Sequence, residues 1–212
     1  MTVSGEVANP LTLSANDTFT LVFAACDDGA GVVNGTYAMR ITSFSGDLLS
    51  GSFALGVSVT LTGFQFTENE QTATVNGDIS VSMTADASPT QTISVTASSL
   101  SVSGGGSSHT LTSYSATQTV DQLTGAYTLD VSGSLSGSEF AGRVMFATTI
   151  DLVGDGTGFA FDGEIEINGA LSATIHVIVL DGELVRLEID YDGDGVIDEL
   201  VDTSWSELLA QP

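Results

Sequence analysis

Cations are almost missing from these 212 residues: there is no lysine, and Arg40, Arg143 and Arg186 stand against 27 Asp and Glu, a formal net charge of −24. Phosphate recognition needs clustered positive charge, so nucleic acid is excluded as a partner and anionic membrane surfaces are disfavoured. A single cysteine, Cys26, excludes an intramolecular disulfide and a metal–thiolate cluster. No apolar run is long enough for a transmembrane helix. Catalytic signatures are also missing: no Gly-x-Ser-x-Gly elbow, His-Glu-x-x-His helix or phosphate-cradling loop occurs. The run Gly104 to Gly106 has no following helix or lysine and reads as a hairpin turn. A carboxylate-dependent hydrolase rests only on the abundance of acids and is the remotest reading.

What is present is alternation. Hydrophobic residues make up 42% of the chain and charged ones only 14%, so Ser, Thr, Gly and Asn must supply most of the surface. Apolar and small polar residues alternate with period two, as in Phe53, Leu55, Val57, Val59 and Leu61, the pattern of antiparallel strands with one buried face. The same period marks Tyr127 to Leu135, Val144 to Leu152, Leu171 with Ala173 to Val179, and Val185 to Ile189. Turn signals fall at Asp28-Gly29, Asn34-Gly35, Asn76-Gly77, Gly104 to Gly106, Asp155-Gly156, Asp162-Gly163, Asn168-Gly169 and Asp181-Gly182. The expectation is one all-β domain spanning 1–212: a long antiparallel up-and-down meander of about a dozen strands, forming a curved sheet or a barrel. An outer-membrane barrel is disfavoured by the shortage of aromatics, the lack of paired aromatic girdles and the ending Ala210-Gln211-Pro212.

Helix is expected only at 204–209, where Ser204-Trp205-Ser206-Glu207 fits a capping box before Leu208 and Leu209. Trp205, the only tryptophan, is expected to anchor this turn against the sheet. Leu21 to Cys26 superficially resembles a lipoprotein cleavage box, but no cation precedes it, Asp17 lies just upstream and the apolar run is short. Cys26 therefore reads as a strand-end residue. His176 reads as a polar-face strand residue and His109 as a loop-edge residue, with no third partner evident for a site.

The chemically informative stretch is Asp190-Tyr191-Asp192-Gly193-Asp194-Gly195-Val196-Ile197-Asp198. Alternating carboxylates on a glycine-bent loop can aim several hard oxygens at one centre, and Ca²⁺ takes six to eight of them. As a calcium loop, Asp190, Asp192 and Asp194 occupy positions 1, 3 and 5, Gly195 the turn at 6, the Val196 carbonyl position 7 and Asp198 position 9. The run resembles the calcium loops of EF-hands, dockerins and thrombospondin type 3 repeats. It departs from them at position 12, where Val201 replaces the bidentate Glu, and Glu199 or Asp202 is the expected substitute unless the site is open. The flanks read as strands, so the expectation is a Ca²⁺-tied hairpin over 184–202. Weaker acidic turns, at Asp27-Asp28-Gly29, at Asp151 with Asp155, and at Asp162 with Glu164 and Glu166, read as hairpin tips or exposed strand faces.

Taken together, Phe23 with Cys26, the turn to Asn34-Gly35, Asn76-Gly77, the run from Asp190 to Asp198, and Thr203-x-Trp205-x-x-Leu208 resemble uncharacterised β-rich exported proteins and lipoproteins of Gram-negative bacteria. The resemblance implies export to the periplasm, cell surface or medium, with any signal or lipid anchor outside these residues, and carries no activity. The first functional expectation is a non-enzymatic envelope or secreted protein with a structural Ca²⁺ site, acting in surface structure, assembly or binding. The alternative is a carrier of a hydrophobic small molecule or lipid inside a barrel. Self-assembly through sheet edges is a further expectation.

Overall fold

A computed structural model describes residues 1–8, 13–27, 29, 31–68, 70–86 and 88–210. Thirteen strands follow one another in the order β1 (Thr2–Glu6), β2 (Thr18–Asp27), β3 (Val32–Asp47), β4 (Ser52–Glu68), β5 (Gln71–Ala85), β6 (Thr90–Gly104) and β7 (Ser107–Asp121), then β8 (Tyr127–Gly137), β9 (Val144–Gly154), β10 (Asp162–Asn168), β11 (Thr174–Val179), β12 (Leu184–Asp190) and β13 (Glu199–Ser204). Each pairs antiparallel with its sequence neighbours, giving one sheet in chain order. β1 and β13 are not paired with each other, so the sheet is curved and open, not a barrel. The described strands therefore do not close a barrel. No helix among the described residues is long and apolar enough to cross a membrane.

The alternation becomes rows of side chains across the sheet. One row runs Ile41, Val57, Val81, Val95, Ala116 and Val131 over β3 to β8. A second runs Leu21, Tyr37, Leu61, Gly77, Leu100, Leu111, Leu135 and Val144 over β2 to β9. The opposite face carries Ser58, Ser80, Thr96, Ser115 and Ser132 in register, with hydroxyl pairs such as Ser94–Thr117 at 3.1 Å.

A strand that long cannot keep its apolar set on one face if the pattern slips by one residue, because side chains alternate strictly. Here the pattern does slip, from Val57, Val59 and Leu61 to Phe64 and Phe66, and the strand absorbs the slip as a β-bulge between Leu61 and Phe64. Similar register shifts occur between Phe23 and Cys26, Ile41 and Ser43, Gly77 and Ile79, and Thr112 and Ser115. The Asn-Gly pairs expected as hairpin turns serve these bulges: Asn34-Gly35 lies inside β3 and Asn76-Gly77 inside β5. Asn34 Oδ1 accepts the Ala25 N–H at 2.7 Å and Asn76 Oδ1 accepts the Gly63 N–H at 2.6 Å, each satisfying a donor displaced from the ladder. Asp162-Gly163 likewise opens β10 at an irregular register rather than making a turn. Gly104 to Gly106 does connect β6 to β7 as expected, and Asp28 of Asp28-Gly29 lies outside the described residues.

Among the described residues, a cluster of buried hydrophobic side chains forms toward the C-terminus. Leu152, Ala160 and Val179 are buried together, with Leu129, Ile165 and Trp205 packed against them. Val185 on β12 is fully buried. The helix α1 (Trp205–Leu209) begins with the expected capping box: Ser204 accepts the Glu207 N–H and the Glu207 side chain accepts the Ser204 N–H. Trp205 stacks on Phe159 at 5.9 Å and donates its indole N–H to the Ala160 carbonyl at 3.2 Å, the anchoring role expected for it. One strand starts later than expected: Leu171 is 91% exposed with φ 58° in a short 3₁₀ turn at Ala170–Ser172, and β11 begins at Thr174. Cys26 sits at the end of β2, as expected.

The bulge chemistry makes a stability prediction. Asn76→Ala should cost about 1 kcal/mol by removing the acceptor for Gly63. Gly77→Ala should cost more, about 1–3 kcal/mol, because a strained backbone is forced on a residue with a Cβ: Gly77 has φ +143° and a Cβ there would lie 2.3 Å from the Ser99 carbonyl oxygen. Urea unfolding of both variants checks the order, and equal midpoints for wild type and Gly77→Ala would contradict it.

Candidate metal centre

The aspartate loop is built outward from the sheet. Asp190 ends β12 and pairs with Thr174 of β11, so its backbone is held by the ladder. Its side chain, only 3% exposed, turns into the loop: Oδ1 accepts the Gly193 N–H at 2.7 Å and Oδ2 accepts the Gly195 N–H at 2.8 Å. Both glycines have positive φ, and a Cβ on Gly193 would lie 2.6 Å from the Ser172 Cβ, so the loop can bend against the 170–172 turn only with glycine there. Asp192 Oδ1 accepts the Asp194 N–H at 3.2 Å and Asp194 Oδ1 accepts the Val196 N–H at 2.8 Å, two successive side-chain turns. At the neck, Asp198 Oδ2 accepts the Tyr191 N–H at 2.8 Å and the Asp198 N–H reaches the Ile189 carbonyl at 2.8 Å.

This folding brings one carboxylate oxygen each from Asp190, Asp192 and Asp194 within 4.8 Å of one another. Among the described residues no other group of His, Cys, Asp and Glu gathers in this way. Three hard oxygen donors on a glycine-bent loop can hold a metal ion, and the chemistry favours a hard cation over a soft one. Of the other residues expected as ligands, Asp198 closes the neck and Val196, 62% exposed, is tied through its N–H to Asp194. The two residues expected to replace the missing acid at position 12 are engaged elsewhere. Asp202 forms a two-point ion pair with Arg186, at 2.8 and 3.1 Å, and Glu199 accepts the Tyr191 hydroxyl. The centre is thus three clustered carboxylates without a bidentate acid.

The Gly195 N–H, helped by those of Gly193, Asp192 and Asp194, outweighs burial and holds the Asp190 carboxyl below the usual carboxylate range. The Arg186 guanidinium does the same for Asp202. The Glu199 carboxylate pushes the Tyr191 phenol up.

The other candidates from the sequence fall as follows. Asp27 Oδ1 accepts the Gly29 N–H at 2.8 Å and Asp155 Oδ1 accepts the N–H and hydroxyl of Thr157 at 2.9 and 2.6 Å, both simple acidic turns. His109 lies within β7, with its ring 6.0 Å from Phe140. His176 is on the polar face as expected, but it does have partners: Nδ1 is 2.8 Å from Glu164 and Nε2 is 3.8 Å from Glu166. Its hydrogen bond lowers the Glu164 carboxyl. Sequence reasoning missed this trio because the Glu166–His176 register depends on a turn at 168–174, and the strand had been expected to begin at Leu171. The Glu-x-Glu period in β10 was the available signal.

No protein-family model, curated protein or solved structure matches this chain.

The lowered Asp190 carboxyl carries a pH sign. Its contribution is fully present above the unfolded carboxylate value of about 3.9 and is lost as pH falls through the lower folded value. In metal-free protein, a carbon-13 NMR titration should therefore find the Asp190 midpoint below that reference. A midpoint at or above it would show that the loop hydrogen bonds do not form.

Proposed function

We propose that this is a non-enzymatic exported or cell-envelope protein whose last hairpin is locked by Ca²⁺, and that it acts in surface structure, assembly or binding. The observation that carries the reading is the Asp190, Asp192 and Asp194 cluster on the loop between β12 and β13. In this reading those three carboxylates hold the ion, with the Val196 carbonyl and Asp198 completing the protein ligands. The ion would neutralise a loop that has no cation of its own: Arg186, the nearest in sequence, is paired with Asp202. By tying the neck of the hairpin, it would also hold β13 and the start of α1 over the C-terminal core.

The missing bidentate acid bears on location. Loop sites with fewer charged ligands bind Ca²⁺ with Kd near 10⁻⁴–10⁻³ M in extracellular modules, roughly a hundred- to a thousandfold weaker than sensor sites. A weak site is useful only where calcium is abundant, which favours the periplasm, cell surface or medium over the cytosol.

Scanning calorimetry with chelator and with excess calcium tests the proposal. Calcium at a hundred times its Kd stabilises by about 2.7 kcal/mol, a rise in melting temperature of roughly 5–10 °C for a chain this long. Asp192→Asn together with Asp194→Asn should abolish the rise. Superimposable wild-type melting curves would sink the calcium reading, and a Kd below micromolar would count against the extracellular one.

A further inference from the structure

None of Val57, Val81, Val95, Ala116 and Val131, the middle apolar row over β4 to β8, is fully buried, so this chain leaves the face incompletely covered. A sheet that is apolar on one face must bury that face against something. Val57, Val81, Val95, Ala116 and Val131 form the middle row there, flanked by Val59, Ile79, Ala97 and Tyr114 on one side and Leu55, Met83, Ile93, Gln118 and Leu129 on the other. Val81, Val95 and Met83 are only half-buried, although each has apolar row neighbours on both adjacent strands. The protein exposes 12250 Å², whereas a compact monomer of 21.7 kDa exposes about 9,200 Å².

We propose that this face packs against the same face of a second copy of the chain, forming a two-layer sandwich across a twofold axis. The excess surface of the whole chain, about 3,000 Å² over both faces of the open sheet, leaves ample room for the roughly 800 Å² per partner that a standard stable interface buries. Charge placement favours a copy over other occupants. These rows contain no Asp, Glu, Arg or His, while Asp78 and Asp130, opposite Thr60 and Thr117, lie on the other face. Two chains of net charge −24 can therefore meet on this face without setting acid against acid. An isologous contact needs one self-complementary patch, and two identically twisted antiparallel sheets pack aligned about 10 Å apart. An anionic lipid surface would meet almost no cations.

Size-exclusion chromatography with light scattering on the full chain, from low to high micromolar concentration, is expected to give twice the 21.7 kDa chain mass. Running it in chelator and in calcium separates this proposal from the calcium one, since the face does not include the aspartate loop. Val81→Glu and Val95→Glu should return the monomer with an unchanged strand signal in circular dichroism, while Ser80→Glu on the opposite face should leave the dimer intact. Wild-type protein supplies a readout independent of variant folding: peroxide oxidation of Met83 should slow several-fold as concentration rises, while that of Met145, 49% exposed, stays constant. A native monomer at every concentration, a dimer indifferent to Val81→Glu, concentration-independent oxidation of Met83, or a monomer that binds phosphatidylcholine vesicles through this face would overturn the proposal.

Discussion

Every described strand pairs in the sheet with the strands adjacent in sequence, and each must keep its apolar side chains on the same side as its neighbours. From that constraint the bulges follow. Strands of up to 17 residues would drift out of phase wherever their alternation slips, so an extra residue enters at the slip and the far half is turned back to the common face. The Asn34 and Asn76 side chains then occupy the places where the ladder has lost an acceptor. The irregular positions are thus what keeps the sheet one-sided.

One-sidedness separates chemistry from packing. Apolar rows occupy one face, hydroxyl rows the other, and most acids lie at turns, on strand ends or on the outer side of β10 to β13. The C-terminal end is the exception in being covered: α1 and the segment around Phe159 fold over Leu152, Ala160 and Val179. The aspartate loop sits at this better-packed end, with Asp190 anchored in the ladder and Asp192 and Asp194 exposed. An ion there would join a charge problem to a packing solution, since the strand it ties leads directly into Trp205.

Much of the fold was legible because period two is a local signal. Phe53 to Leu61 predicted β4 without reference to any other strand, and Ser204 with Glu207 predicted the α1 cap. The aspartate cluster was legible too, since residues at alternate positions of a short glycine loop have few ways to avoid one another. Asn-Gly, by contrast, has the same local preference in a hairpin turn and at a bulge, so the bulge role of both Asn34-Gly35 and Asn76-Gly77 was decided only by the strands beside them. The phase slip from Leu61 to Phe64 was visible in the sequence, but its meaning required the register with Val75.

By itself the sequence determined an acidic, antiparallel meander with a carboxylate loop before a capped helical turn, because alternation, capping and loop spacing act over a few residues. Tertiary structure alone decided that the sheet stays open, that Asp202 answers Arg186 rather than the loop, and that His176 meets Glu164 and Glu166. Each of these depends on which residues stand opposite one another across strands. Register is set by the whole sheet.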